Sequence, residues 1–243
     1  MNFLEKIRLF PDAITGQLFC DPERNGEYKF LKKFLSSYGK LTIFDVGANI
    51  GDYSEKILSI NPLSIIYCFE PVNSTFSKLK LKLEKYPNVK LNNFALGEIE
   101  TNKEIFIYCE EAGSNSLYYH ESHASLSGNL RKEKISIKKL DTIVQENNIS
   151  KIDFVKIDVE GNELNVLKGA INSIRAGIIN LIQFEYNSFW QKSSATLEEV
   201  FDLLKAANFN LYRLTPWGKI PIKKYLNKLE NYKQSNYLAI LNE

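Results

Sequence analysis

LTIFDVGANIGDYSEKILSI, residues 41–60, decides the fold. Residues 41–46 form an apolar run with the length of a buried strand, and GANIG supplies a flexible loop. Tyr53, Ile57 and Ile60 then recur at the spacing of one helix face. A strand passing through a glycine loop into a helix is the opening of a βαβ unit, and such units build parallel sheets with helices on both faces.

The same alternation continues along the chain. Residues 64–69 read as the second strand, followed by a helix that begins at Asn73 or Ser74 as cap, presents Phe76, Leu79 and Leu83, and stops before Pro87. Residues 89–94 form a third strand ending in an ALG turn, and 104–108 and 134–137 shorter strands around a polar insertion at 109–133. A helix is expected at 140–147, a strand at 152–157 leading into DVEGNE, and a helix face at Leu164, Leu167, Ile171 and Ile174. Residues 178–184 are the next strand, and Thr196 with Glu199 forms a capping box for a helix burying Leu197, Val200, Phe201 and Leu204. Strands 209–214 and 237–241 are joined by a polar, Lys-rich excursion, so they should pair antiparallel as a hairpin at the sheet edge.

At 243 residues the chain fits one α/β domain spanning 31–243, with residues 1–30 as a helical N-terminal segment expected to form a lid. Lys and Arg total 31 against 29 Asp and Glu, so a net charge of +2 gives no broad field for nucleic acid. Lys219, Lys223, Lys224, Lys228 and Lys233 cluster near the end, which reads first as a solvated face and second as a contact for phosphate or anionic lipid. Cys20, Cys68 and Cys109 form no CxxC pair and read as buried thiols in a reducing compartment. The N-terminal residues are interrupted by Glu5, Lys6 and Arg8, and no run of about 18 apolar residues occurs, so the expected location is cytoplasmic, with no transmembrane segment.

An open parallel sheet binds its ligand at the carboxyl ends of its strands. The first strand ends in Asp45 beside Gly47, Asn49 and Gly51; the second ends in Glu70, 19 residues past Gly51. An acid at that distance suits the two hydroxyls of a ribose, a spacing that fits NAD as well as S-adenosylmethionine. GANIG lacks the GxGxxG pattern, however, and Asp45 would repel a pyrophosphate while attracting an ammonium or sulfonium.

DVGANIG at 45–51, FEP at 69–71, NFALGE at 93–98 and VKIDVEGNELNVLKGA at 155–170 together resemble the FkbM family of S-adenosylmethionine-dependent methyltransferases, in order over about residues 41–186. The resemblance implies a Rossmann-like α/β fold with a seven-stranded, mostly parallel sheet. It implies that Asp45, Gly47, Asn49 and Gly51 hold the methionine end of the donor, Glu70 with Pro71 beside it the ribose, and the turn of Asn93, Ala95 and Leu96 the adenine. Sugar, glycan or polyketide hydroxyls are the acceptors it implies. Where family members commonly carry His, this chain has Asn162, which removes a histidine base from that position.

For a hydroxyl acceptor a positioned base is needed, and Asp158, Glu160 and Glu185 follow strands at the end facing the donor. His120 and His123, the only histidines, lie in the insertion and are alternative bases. Tyr118, Tyr119, Phe189 and Trp190 are candidate rings for stacking on a sugar or macrocycle. No metal is expected. The expected partners are a sugar, glycan or small-molecule acceptor and a second copy of the chain in a homodimer. Nucleic-acid methylation is a weaker reading, since neither an NPPY-like tetrad nor a Pro-Cys nucleophile occurs. A dinucleotide oxidoreductase or a non-catalytic nucleotide-binding module is the alternative from another class.

Overall fold

The computed structural model describes residues 21–108, 115–126 and 130–242. Two helices, α1 (Pro22–Asn25) and α2 (Glu27–Leu35), precede β1 (Thr42–Val46), α3 (Asp52–Ile60), β2 (Ile65–Phe69), α4 (Asn73–Leu83) and β3 (Val89–Asn92). Next come β4 (Ala95–Leu96), β5 (Thr101–Ile107), α5 (Glu121–Leu126) and β6 (Arg131–Lys138). The second half runs α6 (Leu140–Glu146), β7 (Phe154–Ile157), α7 (Glu163–Gly169), α8 (Ile171–Arg175), β8 (Leu181–Tyr186), α9 (Trp190–Ser193), α10 (Leu197–Ala206), β9 (Phe209–Thr215), β10 (Gly218–Pro221) and β11 (Ser235–Leu241).

The main sheet has the order β10-β9-β11-β8-β7-β1-β2-β3. Strands β3, β2, β1, β7 and β8 are parallel, as their apolar runs require when both faces are covered. β11 lies antiparallel between β8 and β9, so the two terminal strands pair as expected. The sheet is eight strands wide rather than seven, because Gly218–Pro221 folds back on β9 and takes the edge. That strand is short, exposed and ends in proline, a combination suited to an edge and easily read as loop.

Helices cover both faces. On one, Leu31 and Leu35 of α2, Ile57 of α3 and Leu79 of α4 pack with Ile43, Ile66, Phe154 and Leu238. On the other, Ile143, Leu167, Ile174 and Phe201 from α6, α7, α8 and α10 pack with Phe44, Val155, Ile157 and Phe184. Of the segment expected to be a lid, α2 thus packs on the sheet face; residues 1–20 lie outside the described residues. The capping box at Thr196 and Glu199 is present. The cap expected at Asn73 or Ser74 is instead Val72, and the Asn73 N–H donates to Glu133 Oε1 at 2.8 Å.

The polar insertion is shorter than expected. β5 and β6 pair antiparallel from Thr101↔Ile137 to Ile107↔Arg131, and β4 completes a three-stranded sheet. Only one face of it is buried, through Ile105, Ile107, Ile135, Ile137 and Val72, so its outward charges disguised the strand ends at 101–103 and 131–133 as loop. Asp141 in the first turn of α6 caps α8 from another helix, accepting from the N–H groups of Asn172 and Ser173 at 3.0 and 2.8 Å and from Ser173 Oγ at 2.6 Å. Asp141→Ala is therefore expected to lower the unfolding free energy by about 2–3 kcal/mol in urea titrations.

Candidate active site

The strand order reverses between β1 and β7, and the crevice beyond their carboxyl ends is where an α/β sheet receives a ligand. A cleft opens there, lined by Gly47, Asn49, Glu70, Leu96, Asp158 and Glu160, with apolar walls that include Phe69 and Ile135. Its charged lining among the described residues consists of three carboxylates, Glu70, Asp158 and Glu160, with no lysine, arginine or histidine.

Glu70 ends β2 facing this cleft and accepts from Asn49 N at 3.1 Å and Val72 N at 2.9 Å. Burial pushes its carboxyl up to about 7 despite those two donors. Pro71, Ala95 and Leu96 also line the cleft. Asn93 does not: it is exposed, and its Nδ2 donates to the carbonyls of Glu70 and Pro71 at 3.0 and 3.1 Å, holding the turn from behind. Gly51 is likewise outside the lining and serves the turn into α3, with φ +90 and Leu79 of α4 against it.

Asp45 departs from the expected role. Its side chain is fully enclosed on the α3 face of the sheet, where Oδ2 accepts from Ser54 Oγ at 2.6 Å and Oδ1 has no hydrogen-bond partner among the described residues. The alternation of side chains along β1 turns Val46 to the opposite face and carries Asp45 toward Lys156 of β7, its register partner. Burial opposes the charge on Lys156, but Asp158, Asp45 and Glu27 more than compensate and raise its pKa. Glu27, also buried, accepts from Gln183 Nε2 at 2.7 Å and Asn236 Nδ2 at 3.1 Å, so this network ties α2 to the sheet beneath the cleft.

The DVEGNE loop gathers the acids. Asp158 Oδ2 accepts from Lys156 Nζ at 2.8 Å. Glu160 sits at φ +52, a left-handed conformation uncommon for a residue with a side chain, and the loop is closed by Glu163, which accepts from the N–H groups of Val159 and Gly161, both at 3.0 Å. Asn187, just past β8, donates from Nδ2 to Glu160 Oε2 at 2.7 Å and to Glu185 Oε2 at 2.9 Å. Gln234 donates to Glu185 Oε1 at 2.8 Å. One carboxylate oxygen each from Asp158, Glu160 and Glu185 lies within 4.8 Å of the others, a spacing able to hold a divalent cation. Burial and then mutual repulsion raise Glu160 well above the usual carboxylate range; burial and then Asp158 raise Glu185. Burial and proximity thus both oppose full ionisation of the Glu160–Glu185 pair.

His120 and His123 pack as rings rather than facing these acids. Their centroids lie 5.1 and 4.5 Å from Phe189 and 4.8 Å from each other, and burial lowers both pKa values. They fasten the insertion to the turn after β8. Phe189 and Trp190 are buried, Trp190 in the core below α10, so neither is an open stacking platform. Tyr119 is exposed beside Phe106, and Tyr118 Oη accepts from Asn165 Nδ2 at 3.2 Å. Asn162 bridges two loops, donating from Nδ2 to Leu96 O at 3.2 Å while Oδ1 accepts from Asn165 Nδ2 at 2.8 Å. Cys68 is a buried free thiol; Cys20 and Cys109 lie outside the described residues.

Lys156, Glu163, Asn187 and Gln234 were not anticipated. Lys156 had a signal: a lysine inside a run read as a fully buried strand needs partners of opposite charge. Asn187 and Gln234 come from separate connections that only the sheet order brings together.

The sequence pattern of the Methyltransferase FkbM domain matches residues 45–211. Methyltransferase 1 of Beauveria bassiana is 26% identical over 193 residues, covering 70% of this chain and 76% of the relative. Hexuronic acid methyltransferase AglP of Haloferax volcanii is 26% identical over 146 residues, covering 60% of this chain and 56% of the relative. Among solved structures, the METTL16 MTase domain shares the fold at a TM-score of 0.50 and 9% identity, over 89% of this chain and 66% of that one. With most of its length inside the matched pattern, the chain belongs to the FkbM methyltransferase family and is an S-adenosylmethionine-dependent enzyme.

Proposed function

We propose that this enzyme is an O-methyltransferase acting on a hydroxyl of a sugar, a glycan or a small-molecule natural product. One observation carries the reading: the cleft at the switch point is lined by three carboxylates and no cationic side chain. Such a lining suits a nucleoside of net positive charge and a hydroxylated acceptor, and opposes the phosphates of a dinucleotide or a nucleic acid. The relative named for hexuronic acid supports a sugar acceptor.

The residues present fit the donor. Glu70 retains acceptor capacity beyond its two backbone donors, enough for a ribose diol, with the Gly47–Asn49 backbone and the apolar walls beside it. When bound, S-adenosylmethionine supplies a methyl group on a sulfonium already activated for displacement. What remains for the chain is to orient the acceptor and take its proton. Asp158 Oδ2 is held by Lys156, and Oδ1, which has no hydrogen bond among the described residues, would receive the hydroxyl proton as the oxygen displaces the methyl group from sulfur. The Glu160–Glu185 pair, aligned by Asn187 and disfavoured from ionising fully, would offer a shared proton to a neighbouring acceptor hydroxyl. Incubating acceptor panels with the donor and finding one added methyl group on oxygen by mass spectrometry and NMR tests the reading; transfer to nitrogen or carbon alone would overturn it.

Glu70 makes the reading pH-dependent. Ribose hydroxyls donate to the ionised carboxylate, so binding favours loss of the proton that burial retains up to about 7. Affinity for S-adenosylhomocysteine should fall by up to about tenfold per unit as pH drops below that value, and level off above it. Calorimetric titrations checking this should find Glu70→Gln weaker and flat with pH; a flat profile for the parent would remove Glu70 from the site.

The 4.8 Å grouping of Asp158, Glu160 and Glu185 favours a second reading, in which a divalent cation shared by these acids holds the acceptor oxygen. Full turnover after exhaustive chelation would rule it out, and loss restored by added magnesium or manganese would replace the proton-sharing pair with a metal site.

A further inference from the structure

The lysines of the basic C-terminal segment take no part in the methyl-transfer site. Residues 209–234 hold Arg213, Lys219, Lys223, Lys224, Lys228 and Lys233 against one acid, Glu230, a net +5 in a chain whose total is +2. All five lysines are exposed. Large apolar side chains are exposed on the same segment: Trp217 at 77%, Ile220 at 48% and Leu226 at 47%.

Trp217 occupies the tip of the β9–β10 hairpin. α2 adds charge beside it: Lys29 Nζ donates to Pro216 O at 3.4 Å, and burial together with the charge of Lys33 lowers the Lys219 pKa. Both β9 and β8 run antiparallel to β11, so the hairpin tip stands at the end of the sheet that carries Asp158 and Glu185.

We propose that the Trp217 hairpin and the lysines around it dock the protein on an anionic phospholipid bilayer, with the strand-end cleft on the same side of the sheet as the docking tip. Local positive charge from Lys29, Lys33 and Lys219, which line one groove with Trp217, complements the anionic headgroups; the amphipathic indole suits the interface between headgroups and acyl chains, and Ile220 supplies apolar area for shallow insertion. A single-stranded nucleic acid is the less suited polyanion, because it calls for successive open aromatic platforms, whereas Phe30 and Phe34, which line the groove beside Trp217, are half-buried and stacked on each other.

The chain's two tryptophans make the test direct, since Trp190 is fully buried and a change in emission reports Trp217. The full chain is mixed with vesicles of phosphatidylcholine containing about one third phosphatidylglycerol, and with pure phosphatidylcholine vesicles, then assayed by co-sedimentation and fluorescence. Expected are binding to the anionic vesicles only, a blue shift on binding, and release by salt. Lys33→Ala combined with Lys219→Ala should weaken partitioning on the order of 25-fold, at about fivefold per lysine. Trp217→Ala should weaken it as well and abolish the shift; all these side chains are exposed, so the variants should keep the parent's melting temperature. No association with anionic vesicles, equal association with neutral ones, binding without a Trp217 shift, or binding of a single-stranded oligonucleotide in place of vesicles would each overturn the proposal.

Discussion

Asp158→Asn is expected to lower kcat by roughly 10²- to 10⁴-fold while leaving affinity for S-adenosylhomocysteine unchanged. The amide keeps the shape of the carboxylate at the cleft but cannot take a proton at neutral pH. It also changes the company of Lys156, whose Nζ now meets a neutral oxygen or an amide donor instead of Asp158 Oδ2 at 2.8 Å. Two other carboxylates, Asp45 and Glu27, remain around that lysine, so the buried charge stays compensated and the fold should survive. Single-turnover kinetics beside calorimetric binding separate the two effects. Full turnover in this variant would exclude Asp158 as the base and pass the role to the Glu160–Glu185 pair. Weakened binding together with slowed chemistry would show instead that Asp158 positions the donor.

Gly47→Ala should be among the most damaging small substitutions at the described residues. A Cβ at this position would lie 1.8 Å from the carbonyl oxygen of Asp158 and 3.3 Å from Val159 Cγ1, on a residue with φ +81. Backbone, not a movable side chain, is in the way, so β1 and the DVEGNE loop must separate, and the left-handed conformation adds its own strain. A loss of about 3 kcal/mol or more in unfolding free energy is expected, with donor binding abolished because both walls of the cleft move. Gly39→Ala is the matched control: nothing lies within 4 Å of its added carbon. Urea titrations of the two variants check the difference; equal stabilities would show that the close approach of Gly47 to Asp158 is not maintained in solution.

Gly47 also illustrates what can be read from residues and what cannot. A glycine after an apolar run and before a helical pattern announces a tight strand-loop-helix turn, and that reading holds. The reason for the glycine differs, because its missing side chain makes room for the backbone of the DVEGNE loop, more than 100 residues away. Asp45 shows the same division. Its place at the tip of β1 follows from the apolar run, yet which face its carboxylate takes depends on the register with β7, and that register carries it to Lys156 and Ser54. Glu70 ends β2 facing the crevice, so local spacing and tertiary placement agree there. The histidines were attractive by composition alone; their partner Phe189 lies 66 residues or more away and could be found only by folding the chain.

By itself the order of apolar runs, glycine loops and helical periods determined a parallel α/β sheet with its chemistry after β1, β2, β7 and β8, because local steric preference and hydrophobic period act over a few residues. Only tertiary structure decided which acids share one cleft and which are turned beneath it, where β10 closes the edge, and that Asn187 and Gln234 hold Glu160 and Glu185. The physical reason is that burial and charge compensation are properties of neighbours in space: a carboxylate at a strand end is left open to the cleft, paired with another acid or made a structural counter-ion according to the side chains that other strands bring against it.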